Sequence, residues 1–198
     1  MAADEPDRLK TGNPAPLLAE IERLKAELAC AKRSIAELEA RADVDPLLDI
    51  LNRRGFAREL RRALAFLQRY PGEAALLYVD LDSFKAVNDR HGHAAGDALL
   101  KAITRTLTSH VRASDVVARL GGDEFGVLLW NIGPQQTLSK ARELEGLIGA
   151  VKIGEGEPDA RAGASIGVAS LTVGMTPEEI IDAADRAMYA RKGERRRA

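Results

Sequence analysis

Two apolar runs, Asp115 to Leu120 and Glu124 to Trp130, are parted only by Gly-Gly-Asp at 121–123, with Glu124 next in line. Short β-prone runs this close together must fold back on each other, so the segment predicts a hairpin and commits its sheet to an antiparallel pair. Glycine permits positive φ in a two-residue turn and leaves no side chain in the path of a ligand. Two neighbouring carboxylates have no packing role at such a tip, and the segment alone reads either as a solvated turn or as a cation site.

The rest of the chain narrows the fold. Residues 74–82, AALLYVDLD, suit a buried strand that ends in acids, and 162–171, AGASIGVASL, a strand of small residues. Helical periodicity runs over 53–70, stopped by Pro71-Gly72, and over 96–111, 134–151 and 176–192. The last of these has Thr176 as N-cap and Pro177 at N1. Helices mixed with strands, one pair of them a hairpin, predict an α+β fold: a mixed, largely antiparallel central sheet flanked by helices, not an all-parallel doubly wound one.

Three segments are expected. Residues 1–16, rich in charge, proline and alanine, read as a disordered lead. Over 17–44, Ile21, Leu28 and Ile35 fall at a positions and Leu17, Leu24 and Leu38 at d, a seam that predicts a parallel coiled-coil dimer, with alanines at 31 and 42. The alternative is an amphipathic helix lying on its own domain, but globular helices use a broader apolar stripe. Pro46 disfavours helix at Asp45, where the globular domain, 45–198, begins.

The 29 basic residues nearly balance the 30 acidic ones, which gives no field for a nucleic-acid partner. Cys30 is the only cysteine, so no intrachain disulfide forms. No run reaches the roughly 18 apolar residues of a membrane span. A cytoplasmic protein without a membrane partner is expected.

Asp80 closes a hydrophobic strand. If that strand neighbours the hairpin, Asp80, Asp123 and Glu124 converge, and close carboxylates call for a raised pKa or a bound cation. Oxygen donors shared with substrate phosphates are what Mg²⁺ prefers. Between Asp80 and Leu100 stand Lys85, Asn88, Asp89, His91, His93 and Asp97. A carboxylate can accept from guanine N1–H and N2–H₂ together while an Asn amide meets the remaining edge. Asn88 and Asp97 read equally as helix caps at this point.

Taken in order, DLDSFKAVNDRHGHAAGD, RLGGDEF, SIGVA and ADRAMYARK closely resemble the GGDEF family of diguanylate cyclases, from Asp45 to about Arg196. The resemblance implies a fold similar to the nucleotide-cyclase and polymerase palm, and the condensation of two GTP into cyclic di-GMP with release of two pyrophosphates. It implies two Mg²⁺ ions, with Mn²⁺ as an alternative, held by Asp80, the Leu81 carbonyl, Asp123 and Glu124. One ion would ready the 3′-hydroxyl and the other steady the α-phosphate and leaving group, with a hairpin acid as general base. Phe84, Lys85, Asn88, His93, Asp97, Gly121, Gly122, Lys192 and Arg196 would bind substrate, Asn88 and Asp97 by reading guanine.

Arg112 and Asp115 match the family's allosteric product site, at which cyclic di-GMP would inhibit. Arg stacking and fork geometry suit that ligand; a surface ion pair is the plainer reading. Two departures stand out: Leu48 and Asp49 occupy the Thr and Gly positions of the family's Asp-x-Leu-Thr-Gly-Leu-x-Asn-Arg opening, and the final Gly-Arg-Asn is Arg-Arg-Arg here. Since one domain offers one GTP site and the product has two equivalent phosphodiesters, a homodimer joined by the coil is expected. The input, if any, would come from a regulatory protein, controlled dimerisation, or GTP supply and product feedback. The alternatives are an inactive GTP or cyclic di-GMP receptor signalling through its coil, a cyclase making a monocyclic nucleotide, and a coiled-coil interaction protein with a globular cap.

Overall fold

The computed structural model describes residues 18–25, 27–30, 32, 43–153 and 161–195. The chain separates into two compact units, Met1–Arg41 and Ala42–Ala198. In the first, residues 18–25 and 27–30 are helical, and Leu18, Ile21, Leu24 and Leu28 stand 39–58% exposed. Arg23 bridges Glu20 at 2.7 Å and Glu27 at 3.1 Å, exposed pairs one helical turn apart. Leu17, Ala31, Ile35, Leu38 and Ala42 of the expected seam lie outside the described residues.

The second unit runs β1 (Leu51–Asn52), α1 (Arg53–Arg69), β2 (Ala74–Asp82), α2 (Phe84–His91), α3 (His93–Ser109), β3 (Val116–Arg119), β4 (Glu124–Trp130), α4 (Pro134–Gly149), β5 (Gly163–Ser170) and α5 (Pro177–Arg195). The sheet order is β1-β3-β4-β2-β5. Three of its pairings are antiparallel and β1–β3 is parallel, so the sheet is the mixed, largely antiparallel one expected.

Side-chain alternation along β2 divides the core between the two sheet faces. Leu77, Val79 and Leu81 share one cluster with Leu99 and Ile103 of α3 and Leu144 and Ile148 of α4. Leu76 and Tyr78 share the other with Phe56 and Leu60 of α1 and Ile180, Ala184 and Met188 of α5. α1 forms because Asn52 Oδ1 accepts from the Arg54 and Gly55 amides at 3.0 and 3.1 Å, and because Phe56, Leu60, Ala63 and Leu67 recur at helical spacing. Fully burying Phe56 or Leu60 contributes about 1.5–3 kcal/mol each.

α5 is capped as its sequence predicts. Thr176 Oγ1 accepts from the Glu179 amide at 3.2 Å, and Glu179 accepts from the Thr176 amide at 2.8 Å. Its approach to the sheet depends on Gly167, where an added Cβ would strike the backbone of Ala184 and Met188. The edge strand β5 is tied as well: the Ile166 amide donates to Glu145 at 3.0 Å and Arg191 donates to the Ile166 carbonyl at 2.7 Å.

Two local expectations give way. The hairpin is joined by residues 120–123 rather than by a two-residue turn, and among the described glycines positive φ occurs at Gly92 and Gly174, not at Gly121 or Gly122. The Leu120 amide donates to the Glu124 carbonyl at 2.8 Å, so the wider loop closes without left-handed residues. Secondly, Asn88 and Asp97 lie within α2 and α3, whose N-caps are Ser83 and Gly92, so neither caps a helix.

Candidate active site

β2 and β4 set the acids opposite one another: Asp80 pairs in register with Glu124, and Asp80 also pairs with Ser165 of β5. Because side chains alternate, Tyr78, Asp80 and Asp82 share the face covered by α1 and α5. Lys192 of α5 brings its ammonium against Asp80 and to 3.4 Å from Asp82. Burial disfavours that charge, but the Asp80 and Asp82 carboxylates outweigh it and hold the lysine pKa above its ordinary value. Asp82 in turn accepts from Ser165 Oγ at 3.1 Å on both oxygens.

Glu124 is engaged from the α1 side. The Tyr78 hydroxyl donates to it, and Arg53 Nη2 lies 3.5 Å from Oε2. Burial first, and the bond to Glu124 second, push the Tyr78 phenol well above its usual range. The Glu124 carboxylate passes beside Gly121, where an added Cβ would require it to move; at Gly122 a Cβ would meet nothing within 4 Å, so the turn is open there.

The turn is held from three sides. Arg53 Nε donates to the Leu120 carbonyl at 2.7 Å; Arg119 donates to the Gly121 and Gly122 carbonyls at 3.0 and 2.8 Å; the Leu81 amide donates to the Asp123 carbonyl at 3.1 Å. Backbone, not only side chains, therefore joins Asp123 to the strand that carries Asp80.

Beyond Asp82 the chain turns through Ser83, at φ 64°, straight into α2. Phe84 is buried, Lys85, His93 and Asp97 are exposed, and Asn88 is half-buried. Gly92, at φ 82°, links α2 to α3, and the Asn88 side chain lies over Gly96, beside Asp97. A Cβ at Gly96 would fall on that amide and 3.2 Å from the Phe84 ring. Arg196 lies outside the described residues.

Arg112 and Asp115 line a separate cleft of about 380 Å³ with Trp130, Gln136, Lys140 and Glu143. Asp115 accepts from the Arg112 amide at 2.8 Å and the Trp130 amide at 3.0 Å, which braces the turn before β3. The surface ion pair of the plainer reading does not form: among the described residues the Arg112 guanidinium makes no bridge to Asp115.

Among the described residues no three His, Cys, Asp or Glu side chains gather into a cage that would hold a metal by themselves. A divalent ion at a phosphate-handling site is commonly bound through one or two carboxylates, with water and substrate phosphates supplying the rest. Asp80 already holds a cation, the Lys192 ammonium, and offers hard oxygen donors, so the residues present fit a divalent metal.

Sequence reasoning passed over Arg53, Tyr78, Asp82, Arg119 and Ser165. Asp82 and Tyr78 had a usable signal, since residues two apart from Asp80 in a strand share its face. The others depend on strand register and helix placement, which no local pattern carries.

The family model for the diguanylate cyclase GGDEF domain matches residues 42–198. The probable diguanylate cyclase DgcE of Escherichia coli K12 is 40% identical over 168 residues, 82% of this chain and 15% of that protein. Diguanylate cyclase SiaD of Pseudomonas aeruginosa, solved with its activator SiaC, superposes with a TM-score of 0.73 at 28% identity, covering 91% of this chain and 71% of that one. The GGDEF domain of DgcB from Caulobacter crescentus, solved with c-di-GMP, gives 0.72 at 26% identity over 77% of this chain and 91% of that one. The chain spans 15–58% of the length of these curated relatives. With the hairpin, its acids and the mixed sheet in place, this chain belongs to the GGDEF family of diguanylate cyclase domains.

Proposed function

We propose that the domain condenses two GTP into 3′-5′ cyclic di-GMP with release of two pyrophosphates. The observation that carries this reading is Asp80, near the end of a buried strand and in register with Glu124 of the hairpin, holding the Lys192 ammonium. Asp80, the Leu81 carbonyl, Asp123 and Glu124 would hold Mg²⁺ or Mn²⁺, which when bound supplies Lewis-acid activation of the attacking oxygen and charge neutralisation at phosphate.

The chain's own residues orient the substrate. Asn88 and Asp97 read the guanine edge, Phe84, Lys85 and His93 line the same segment, and Gly121-Gly122 leave room for the triphosphate. Lys192 and Arg196 neutralise its charge. A proton leaves the 3′-hydroxyl toward Asp123 or Glu124. Two domains face each other to complete one product, brought together by the exposed apolar seam at Ile21, Leu24 and Leu28. Cyclic di-GMP binds back at Arg112 and Asp115 and inhibits, and a regulatory protein sets the input, as the SiaD–SiaC complex illustrates for that relative. The setting is the cytoplasm.

A second reading, an inactive GTP or cyclic di-GMP receptor, is favoured by the Glu124 carboxylate being engaged by Tyr78 and Arg53. Incubation with GTP and Mg²⁺, with products resolved by mass, separates the two. The cyclase reading predicts cyclic di-GMP from the parent and none from Asp123→Asn with Glu124→Gln. It also predicts weaker product inhibition in Arg112→Ala. A folded parent that binds nucleotide and yields nothing supports the receptor.

A further inference from the structure

The Lys192 ammonium rests on two carboxylates of different standing, for Asp80 belongs to the proposed metal set and Asp82 does not. The two sit at alternate positions on one strand face, roughly 7 Å apart along β2, a span that one ammonium can bridge. Asp82 is fixed in turn: Ser165, 1% exposed on β5, donates to it at 3.1 Å. A carboxylate already neutralised by an ammonium is a poor ligand for a free metal ion, whereas a triphosphate offers that ammonium a competing anion.

We propose that Asp82, braced by Ser165, is a positioning residue that parks Lys192 on Asp80 in the nucleotide-free protein, so that divalent metal enters together with the nucleotide. Lys192 then leaves Asp80 for the triphosphate as the metal takes its place. The site carries a cation at every stage, and free metal does not load it ahead of substrate. This rests on the cyclase reading above and adds an order of events to it.

The test titrates Mn²⁺ into the full chain, with and without a GTP analogue carrying a methylene at the α,β-bridge. Water-proton relaxation reports the binding, since it rises when Mn²⁺ joins a slowly tumbling protein. The parent is expected to bind Mn²⁺ at least about tenfold more tightly with the analogue than without it. Lys192→Met should tighten nucleotide-free Mn²⁺ binding at least about fivefold, and Ser165→Ala should shift it the same way by less. Asp82→Asn should keep analogue-dependent Mn²⁺ binding within about threefold. Unchanged nucleotide-free affinity in Lys192→Met, with the parent still binding Mn²⁺ beside the analogue, would overturn the parking role and leave the cyclase reading standing. Loss of that binding in Asp82→Asn would make Asp82 a metal ligand and overturn it too. A parent that binds no Mn²⁺ even with the analogue would remove the metal-dependent reading and the parking role together.

Discussion

Arg119 and Asp45, 74 positions apart, meet at 3.1 Å with side chains only 18% and 14% exposed. The same guanidinium holds the Gly121 and Gly122 carbonyls, while the other Asp45 oxygen accepts from the Leu47 and Leu48 amides at 3.0 Å each. One pair thus joins the entry of the second unit to the hairpin that carries the acids.

Arg119→Ala strands a half-buried carboxylate and releases the turn. It should cost about 2–3 kcal/mol, or roughly 5–10 °C in Tm. Thermal unfolding checks the first effect and GTP turnover the second, which should fall by more than the unfolded fraction explains.

Asp49 occupies the family's glycine position and keeps the backbone that glycine would favour, at φ 55°. Aspartate tolerates the left-handed region better than most residues, so the departure from the family pattern leaves the turn intact. Asp49→Gly should therefore stay within about 1 kcal/mol of the parent, while Asp49→Val should lose about 1–3 kcal/mol. Denaturant unfolding of the two variants measures the contrast.

Gly167→Ala should be severe. The new methyl would meet the α5 backbone, not the movable end of a side chain, so relief requires shifting the helix that carries Lys192. A loss of about 3 kcal/mol or more is expected, with nucleotide affinity falling in whatever fraction remains folded. Urea unfolding and a GTP-binding titration report the two effects.

High pH should destabilise the nucleotide-free, metal-free protein. Lys192 is raised by Asp80 and Asp82 against the opposing effect of its burial, and Tyr78 is raised by its burial and by Glu124. Each contributes stability that is complete below its unfolded pKa, about 10.4 for lysine and about 10 for tyrosine, and that is lost as pH climbs through the folded value. Between those limits the folded state holds more protons than the unfolded one, so Tm should drop steadily above about pH 10. Tyr78→Phe should flatten part of that slope.

Much of this was legible in the residues. AALLYVDLD became a strand with those bounds because so short an apolar run after Pro71-Gly72 favours a buried strand over a helix, and Thr176-Pro177 opened α5 because capping chemistry is local. β1 escaped notice, since two residues carry no period, and α2 was hidden in a stretch dense with polar groups. At the site, Asp80 and the hairpin acids were expected together only if their strands were neighbours, and β2 and β4 do pair. Tyr78 and Arg53 on Glu124, and Ser165 under Asp82, could not be foreseen, because they follow from strand register and from where α1 begins. The glycines show the limit of a local argument: Gly121 lies beside the Glu124 carboxylate and its φ is not positive.

The most direct test of the account is a ³¹P NMR time course of GTP and Mg²⁺ with the full chain, following nucleotide and pyrophosphate together. The account predicts cyclic di-GMP accumulating with two pyrophosphates released per product, slowing as product builds. One pyrophosphate per monocyclic product, or bound GTP that never turns over on a folded protein, would contradict it.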